Sequence, residues 1–331
     1  MNAEIRAATL PDLPSMVELL MQDAERRQAH DPALWVLAND ARSQIADAVT
    51  FALTAEKQPF RQQWLVAEAD GRLVGIIHDA RLPVPPIYAG KWGDPGLLMP
   101  ESFVTRDAPE GTLDALIDAA EADLRALGAR ILLASFVCGG EWHESFRGRG
   151  YEPLTLYMSR SGLDNITQPS DVRAATDRDM GGIVARSAEN GAVLHQLDAF
   201  WAPHPEADAR FGAWMRKSLT FTDRDMLVIG DEGGLDGYVV AQPASRLHFP
   251  PAHDISATGV IDDFFHRQYA DPVAMQKNGA GGQALLQAAE ASFTTRGITT
   301  AFAVCPAAWT SKIALLESVG YRTAMVWMIK R

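Results

Sequence analysis

Only two cysteines, Cys138 and Cys305, occur in 331 residues. That scarcity excludes a disulfide scaffold and points to a reducing, cytoplasmic compartment. No apolar run approaches the roughly 20 residues a membrane-spanning helix needs, and the opening MNAEIRAATLPD has neither the basic stretch nor the apolar core of a signal peptide. No membrane partner is therefore expected. Bases are also scarce, with 30 Lys and Arg against 42 Asp and Glu and a formal net charge of −12. Such a surface repels phosphate backbones and argues against nucleic acid as a partner. The eight histidines form no HxxxH or HExxH pair and no Cys-x-x-Cys occurs, so no metal site is expected. A Gly-x-Ser-x-Gly elbow is absent as well. What remains is an ordinary globular composition, 47% apolar and 22% charged, in a chain long enough for two domains.

The chain repeats itself. IRAATLPD at residues 5–12 returns as VRAATDRD at 172–179, an offset of 167. Trp64-Leu65-Val66 with Gly75 returns as Met226-Leu227-Val228 with Gly237, and Ala119-Ala120-Glu121 with Gly128 as Ala288-Ala289-Glu290 with Gly297. Val137-Cys138 with Trp142 matches Val304-Cys305 with Trp309, and Gly150-Tyr151 with Met158 matches Gly320-Tyr321 with Met328. Five co-linear blocks at nearly constant spacing describe one fold used twice. The polar, proline-containing LDNITQPSD at 163–171 is the expected join, giving domains at 1–163 and 172–331 with 164–171 as linker. The first domain carries 15 bases and 23 acids, a net of −8, and the remainder of the chain carries −4.

Each half has the pattern β-α-α-β-β-β-α-β-α-β, an α/β (α+β) arrangement with a mixed sheet flanked by helices. Thr-x-x-Asp marks the start of an amphipathic helix bearing Leu13, Met16 and Leu20. A second helical segment is expected to include Trp35 and Val36 in the first half, and Phe211 and Trp214 in the second. Asp-Gly and Gly-Gly signals join two strands in WLVAEADGRLVGII and MLVIGDEGGLDGYVV. A clean helix carries Leu113, Leu116, Ile117, Ala120, Leu124 and Leu127 on one face.

With Arg-x-Ala-Thr-x-x-Asp at the start and Gly-Tyr before the last strand, the order resembles the GCN5-related N-acetyltransferase (GNAT) family, in tandem over the whole chain. The resemblance implies two acyl-CoA N-acyltransferase domains, acetyl-CoA as acyl donor and a small-molecule amine as acceptor. It also implies a pyrophosphate loop reading Q/R-x-x-G-x-G/A before the long helix, where small residues let phosphate oxygens reach free helix amides. Gln276-x-x-Gly279-x-Gly281 fits literally. Anchoring on the helix instead puts Lys277, Ala280 and Gly282 at the key positions. The donor site is accordingly expected to use Phe264, Phe265, His266, Lys277, Asn278, Gly279, Ala280, Gly281, Gly282, Gln283 and Ser311. The first half has Asp107, Glu110 and Asp114 in the equivalent segment, groups that repel a diphosphate. It is expected to be a structural surrogate subunit, making the chain a monomer that acts as an intramolecular pseudo-dimer.

Amine acylation needs a base, because an ammonium cannot attack a thioester. The strand Val260-Ile261-Asp262-Asp263-Phe264 resembles the family's I-E-D pattern, so Asp262 or Asp263 is the expected base. Adjacent strand residues point to opposite faces, so one of the two can face the cleft. The position where the family often has an acidic tyrosine holds Leu316 here and Phe146 in the first half. Cys305 and Ser311 are the nearby alternative proton donors, although the cysteines also read as small core residues. Trp201, His204 and Trp214 are the expected acceptor contacts, with His195, Phe200 and Phe211 in the same region. A non-catalytic acyl-CoA sensor is the competing reading.

Overall fold

The repeated Arg-x-Ala-Thr-x-x-Asp run performs the same local task in both halves. Asp12 accepts from the backbone amide and hydroxyl of Thr9 at 2.8 and 2.9 Å, closing a capping box on a single 3-10 turn. Both Arg6 guanidinium nitrogens reach the same carboxylate at 2.8 Å. Asp179 repeats this with Thr176 and Arg173, and those bonds lower its carboxyl to about 2. Each motif pins the first strand of its half to the first long helix.

In this computed structural model, which describes residues 3–138, 140–164, 166–231, 234–246 and 249–331, the two halves share one element order. The first half runs β1 (Glu4–Ala7), α1 (Leu13–His30), α2 (Ala41–Thr54), β2 (Arg61–Ala69), β3 (Arg72–Arg81), β4 (Gly96–Leu98) and a short β5 (Phe103–Val104). It continues through α3 (Thr112–Ala126), β6 (Leu132–Val137), α4 (Glu141–Gly148) and β7 (Glu152–Ser161). The second half runs β8 (Val172–Ala174), α5 (Met180–Leu197), α6 (Ala207–Ser218), β9 (Asp225–Asp231), β10 (Gly234–Pro243) and β11 (Thr258–His266). Then follow α7 (Ala280–Thr295), β12 (Thr300–Pro306), α8 (Thr310–Ser318) and β13 (Arg322–Lys330). Residues 166–171 of the expected linker have no regular structure. Asp70 and Gly71, both at positive φ, make the β2–β3 hairpin turn. The corresponding Gly-Gly signal at Gly233 lies outside the described residues. No helix among the described residues is long and apolar enough to cross a membrane.

The strands form one continuous sheet in the order β1-β2-β3-β4-β6-β13-β7-β12-β11-β10-β9-β8, with β5 on β3. The last strand of each half has crossed into the other. Strand β7 pairs with β12 from Thr155↔Pro306 to Ser161↔Thr300, while β13 pairs with β6 from Lys330↔Leu132 to Met325↔Val137. The two exchanged strands then pair with each other at the centre. Each carries a base to a buried glutamate of the other half's long helix. Arg160 on β7 meets Glu290 on α7 at 2.7 Å, and Lys330 on β13 meets Glu121 on α3 at 2.7 Å. The repeated Ala-Ala-Glu blocks are the two ends of these cross-half ion pairs.

Trp35 and Val36 differ from expectation. They lie in the connection between α1 and α2, not in a helix. Asp31 ends α1 in an extended conformation and its carboxylate accepts from the amides of Ala33 and Leu34, a turn that Pro32 supports. This frees Trp35, fully buried, to pack in the second half against Phe249 and His253 at ring separations of 5.3 and 5.2 Å. The reciprocal contact is Trp201 of the second half on Tyr88 of the first, at 5.1 Å.

Candidate functional site

Asp262 and Asp263 sit at an irregularity in β11. Val239 pairs with Phe264 and Ala241 with Ile261, so Val240 alone opposes both aspartates. Such a bulge kinks the strand and re-aims its side chains. Parallel pairing with β12 ends at Ile261↔Ala303, and beyond that point the two strands part.

Asp263 lines a cavity of about 400 Å3, whereas Asp262 is exposed. The walls include Trp201, His204, His195, Phe211 and Asn190 from the helices and connections of the second half. They also include Ile87 and Tyr88 from the proline-rich β3–β4 connection of the first half. That connection is held by backbone bonds from Ala89 to Ala202 at 2.8 Å and from His204 to Ile87 at 2.9 Å. Burial, followed by the charge of Asp262, pushes the Asp263 carboxyl up to about 7, while Lys312 and the Tyr238 hydroxyl pull the other way. The Tyr88 phenol is raised above its ordinary range by burial and by both aspartates, so it remains a neutral donor. The Asn190 side-chain oxygen is buried here without a hydrogen-bond partner among the described residues. A carboxylate and a free amide oxygen on one cavity wall, with indole and phenyl rings nearby, suit a ligand that donates N–H bonds.

The expected acceptor residues separate. Trp201 and His204 line the cavity, and His204 Nδ1 accepts from the Glu206 amide at 3.0 Å. Trp214 is not on its wall. It is half-exposed on α6 and packs edge-on against Phe221 at 6.2 Å.

The loop before α7 has the features of an anion cradle at one end. Lys277, Asn278 and Gly279 all have positive φ, a run that turns the chain sharply into the helix. The first turn of α7 has no acid, and Lys277 is exposed beside it. The glycines have a further cause within the protein. A Cβ on Gly281 would lie 2.2 Å from His266 Nε2, and one on Gly282 would lie 2.8 Å from the Tyr269 ring. The Gly281 amide donates to Gln268 Oε1 at 2.8 Å. Ala280 begins α7, and Gln283 reaches Asn278 O and Ser318 Oγ at 3.4 Å.

Toward Asp263 the arrangement is closed. The Phe264 and Phe265 rings are buried in the core, leaving their backbone to face a ligand. Lys312, buried on α8, donates from Nζ to the Phe264 carbonyl at 2.9 Å, and Tyr269 and Trp309 pack fully buried beside it. Ser311 Oγ donates to the carbonyls of Tyr269 and Asp271 at 3.2 and 2.7 Å, which ties the β11–α7 connection to α8. The His266 ring, its proton affinity lowered by burial, accepts from the Gln268 amide at 3.1 Å. Burial pushes the Cys305 thiol up to about 12, the behaviour of a core residue. The exposed Lys277 and the acid-free first turn of α7 leave this end of the loop compatible with an anion. The Lys312–Phe264 bond ties α8 to β11 just beyond the point where β11 and β12 stop pairing. Among the described residues, no group of three or more His, Cys, Asp or Glu side chains is placed to hold a metal ion.

No protein-family model matches the sequence, and no curated protein matches it. Solved structures do. A GCN5-related N-acetyltransferase from Sphaerobacter thermophilus is 15% identical with a TM-score of 0.57, over 99% of this chain and 95% of that one. A tandem GNAT protein from the clavulanic acid biosynthesis pathway is 14% identical with a TM-score of 0.51, over 99% and 98% of the two chains. The glucosamine N-acetyltransferase region of a fungal multi-domain β-N-acetylglucosaminidase is 14% identical with a TM-score of 0.55, over 99% of this chain and 38% of that one. At such identities the likeness is one of fold. The chain has the fold of the GCN5-related N-acetyltransferases, in tandem.

Proposed function

We propose that the protein is an acyl-CoA-dependent N-acyltransferase that acts on a small-molecule amine, with Asp263 as base. The observation that carries this reading is a partly buried carboxylate, raised to about 7, on the wall of a cleft that both halves line. Near neutral pH such a group is partly ionised and can take a proton from an ammonium. The donor, when bound, supplies a thioester carbonyl. Asn190 and the Trp201 ring would orient the amine, and the kink in β11 frees backbone amides to face the developing oxyanion. The first half contributes Tyr88 to this same cavity, so its part in the reading is to complete the acceptor site. The corresponding segment of the first half, with Asp107 paired to Arg72 and Asp114 to Arg149, does not offer the acid-free helix start found at α7.

The sensor reading is favoured by one observation, the buried Lys312–Phe264 bond beside the parting of β11 and β12, which would act as a latch if a donor enters there. Thiol release from acetyl-CoA over a panel of polyamines, amino sugars and amino acids separates the two. Turnover with any acceptor above background hydrolysis supports the transferase, while CoA binding without turnover supports the sensor. The latch has its own test. Breaking an ammonium–carbonyl bond costs about 1.5 kcal/mol, so Lys312→Ala should tighten CoA binding about tenfold by calorimetry. Weaker binding would mean that Lys312 contacts the donor instead of excluding it.

A further inference from the structure

Lys312 and Tyr269 are buried near the place where the parallel strands β11 and β12 part, and the corresponding place in the first half adjoins a cavity. There β4 and β6 pair only from Gly96↔Leu132 to Leu98↔Ala134. Beyond them lies a cavity of about 430 Å3, bounded by the end of α1, the β4–β5 connection, the end of β6 and the start of α4. Its basic side chains are Arg26, Arg27, His30 and Arg106, against Asp23 and Glu141. Asp23 already pairs with Arg27 at 2.7 Å. Arg26 stacks over Phe103 at 4.6 Å and its charge acts on Asp23, and among the described residues neither Arg26 nor Arg106 makes a direct ion pair.

Two buried polar atoms of residues on this wall have no hydrogen-bond partner among the described residues. Arg27, 6% exposed, uses Nε on Asp23 and Nη2 on the Pro100 carbonyl, which leaves Nη1 unmatched. Ser135 Oγ, on a residue 3% exposed, is likewise unpaired. Buried donors without acceptors are uncommon in folded proteins, and each is a place where a ligand's acceptor oxygen would be stabilised.

Ser135, Met99 and Pro100 also line a second cavity of about 300 Å3 on the far side, so the two spaces abut. The second is lined largely by apolar groups, among them Phe60, Leu82, Leu97, Met325 and Trp327. Two of these belong to the exchanged strand β13. We propose that the joined cavities form a binding site for an alkyl carboxylate, with the carboxylate at Arg27, Arg26 and Arg106 and the chain running past Ser135 to the cross-half interface. The acids around the α3 N-terminus, Asp107, Glu110 and Asp114, disfavour a diphosphate and so select the free carboxylate over its CoA thioester.

Calorimetry on the full chain with dodecanoate, dodecanol, dodecanoyl-CoA and shorter fatty acids tests this. Dodecanoate should bind at one site, and each methylene removed should weaken binding about fourfold. The Arg26→Ala, Arg106→Ala double variant, altered at two exposed positions, should weaken binding about fivefold. Ser135→Leu, which blocks the junction, should abolish the chain-length dependence. CoA itself should not compete. The proposal is overturned if dodecanoate does not bind, if dodecanol binds as tightly, or if chain length has no effect. Tighter binding of dodecanoyl-CoA, or competition by CoA, would make the cavity a donor site and overturn it equally.

Discussion

An Asp263→Asn protein is expected to lose at least about 10²-fold in transferase rate while melting at a higher temperature than the native chain. The two effects share one cause. Folding places Asp263 in a bulge on a cavity wall, partly withdrawn from water and beside Asp262, and this raises its carboxyl to about 7. Catalysis needs the carboxylate, so the native rate should climb with pH through about 7 and level off above it. The amide variant should show no such rise. For stability the sign runs the other way. An acid whose proton affinity is higher folded than unfolded favours folding below its unfolded value, and that contribution disappears as pH rises through the folded value. At pH 8 the native chain holds a desolvated anion and the asparagine variant does not, a difference on the order of 1–2 kcal/mol after allowance for partial exposure. Asp262→Asn provides the internal check. Removing the neighbouring charge should move the rate profile to lower pH without abolishing turnover, because Asp262 raises Asp263 and does not line the cavity. A fully active Asp263→Asn enzyme with an unchanged profile would eliminate Asp263 as base.

Features governed by residues near one another in sequence were legible before the structure. Thr9 and Asp12 announce a helix start because their bond spans three residues, and the duplicate at Thr176 and Asp179 marks a second copy. The two aspartates of β11 were likewise readable as a pair with one member facing inward. Contacts between the halves left no such trace. Tyr88 sits in VPPIYAG, a turn-rich stretch whose only hint of function is an aromatic among prolines, and its partners lie more than 100 residues away. Trp35 has helix-compatible neighbours, but its burial against Phe249 and His253 outweighs that local preference. The glycines before α7 show how one pattern can have two causes. Small residues suit a phosphate, and they also suit the His266 and Tyr269 rings that press on Gly281 and Gly282. The Lys312 bond to Phe264 is invisible in the sequence because its acceptor is a backbone carbonyl, which carries no residue signature.

The strand exchange makes the largest structural prediction, that neither half folds alone as a monomer. Residues 164–331 contain β12 but not the β7 that covers its edge, and they contain β13 without β6. On β13 alone, Met325, Val326, Met328 and Ile329 are buried in the intact protein. At about 1.5–3 kcal/mol for each such side chain, their exposure would remove on the order of 10 kcal/mol, comparable with the whole stability of a typical domain. The fragment has one remedy that the symmetry of the sheet allows. Two copies can exchange β13, so that the order β12-β13-β13-β12 replaces the native β6-β13-β7-β12. The expected species by light scattering is therefore a homodimer near the mass of the intact 36.0 kDa chain, or aggregate. Co-expression with residues 1–163 should recover a one-to-one complex, since β7 and Trp35 then return to their sites. In that complex the Arg160–Glu290 and Lys330–Glu121 bridges run between separate chains, and Arg160→Leu should weaken it by about 3–5 kcal/mol by leaving Glu290 buried without its partner. A fragment of residues 164–331 that is monomeric, folded and cooperative in its melt would show that the exchange is dispensable. The first half would then hold its place through Tyr88, Trp35 and their neighbours.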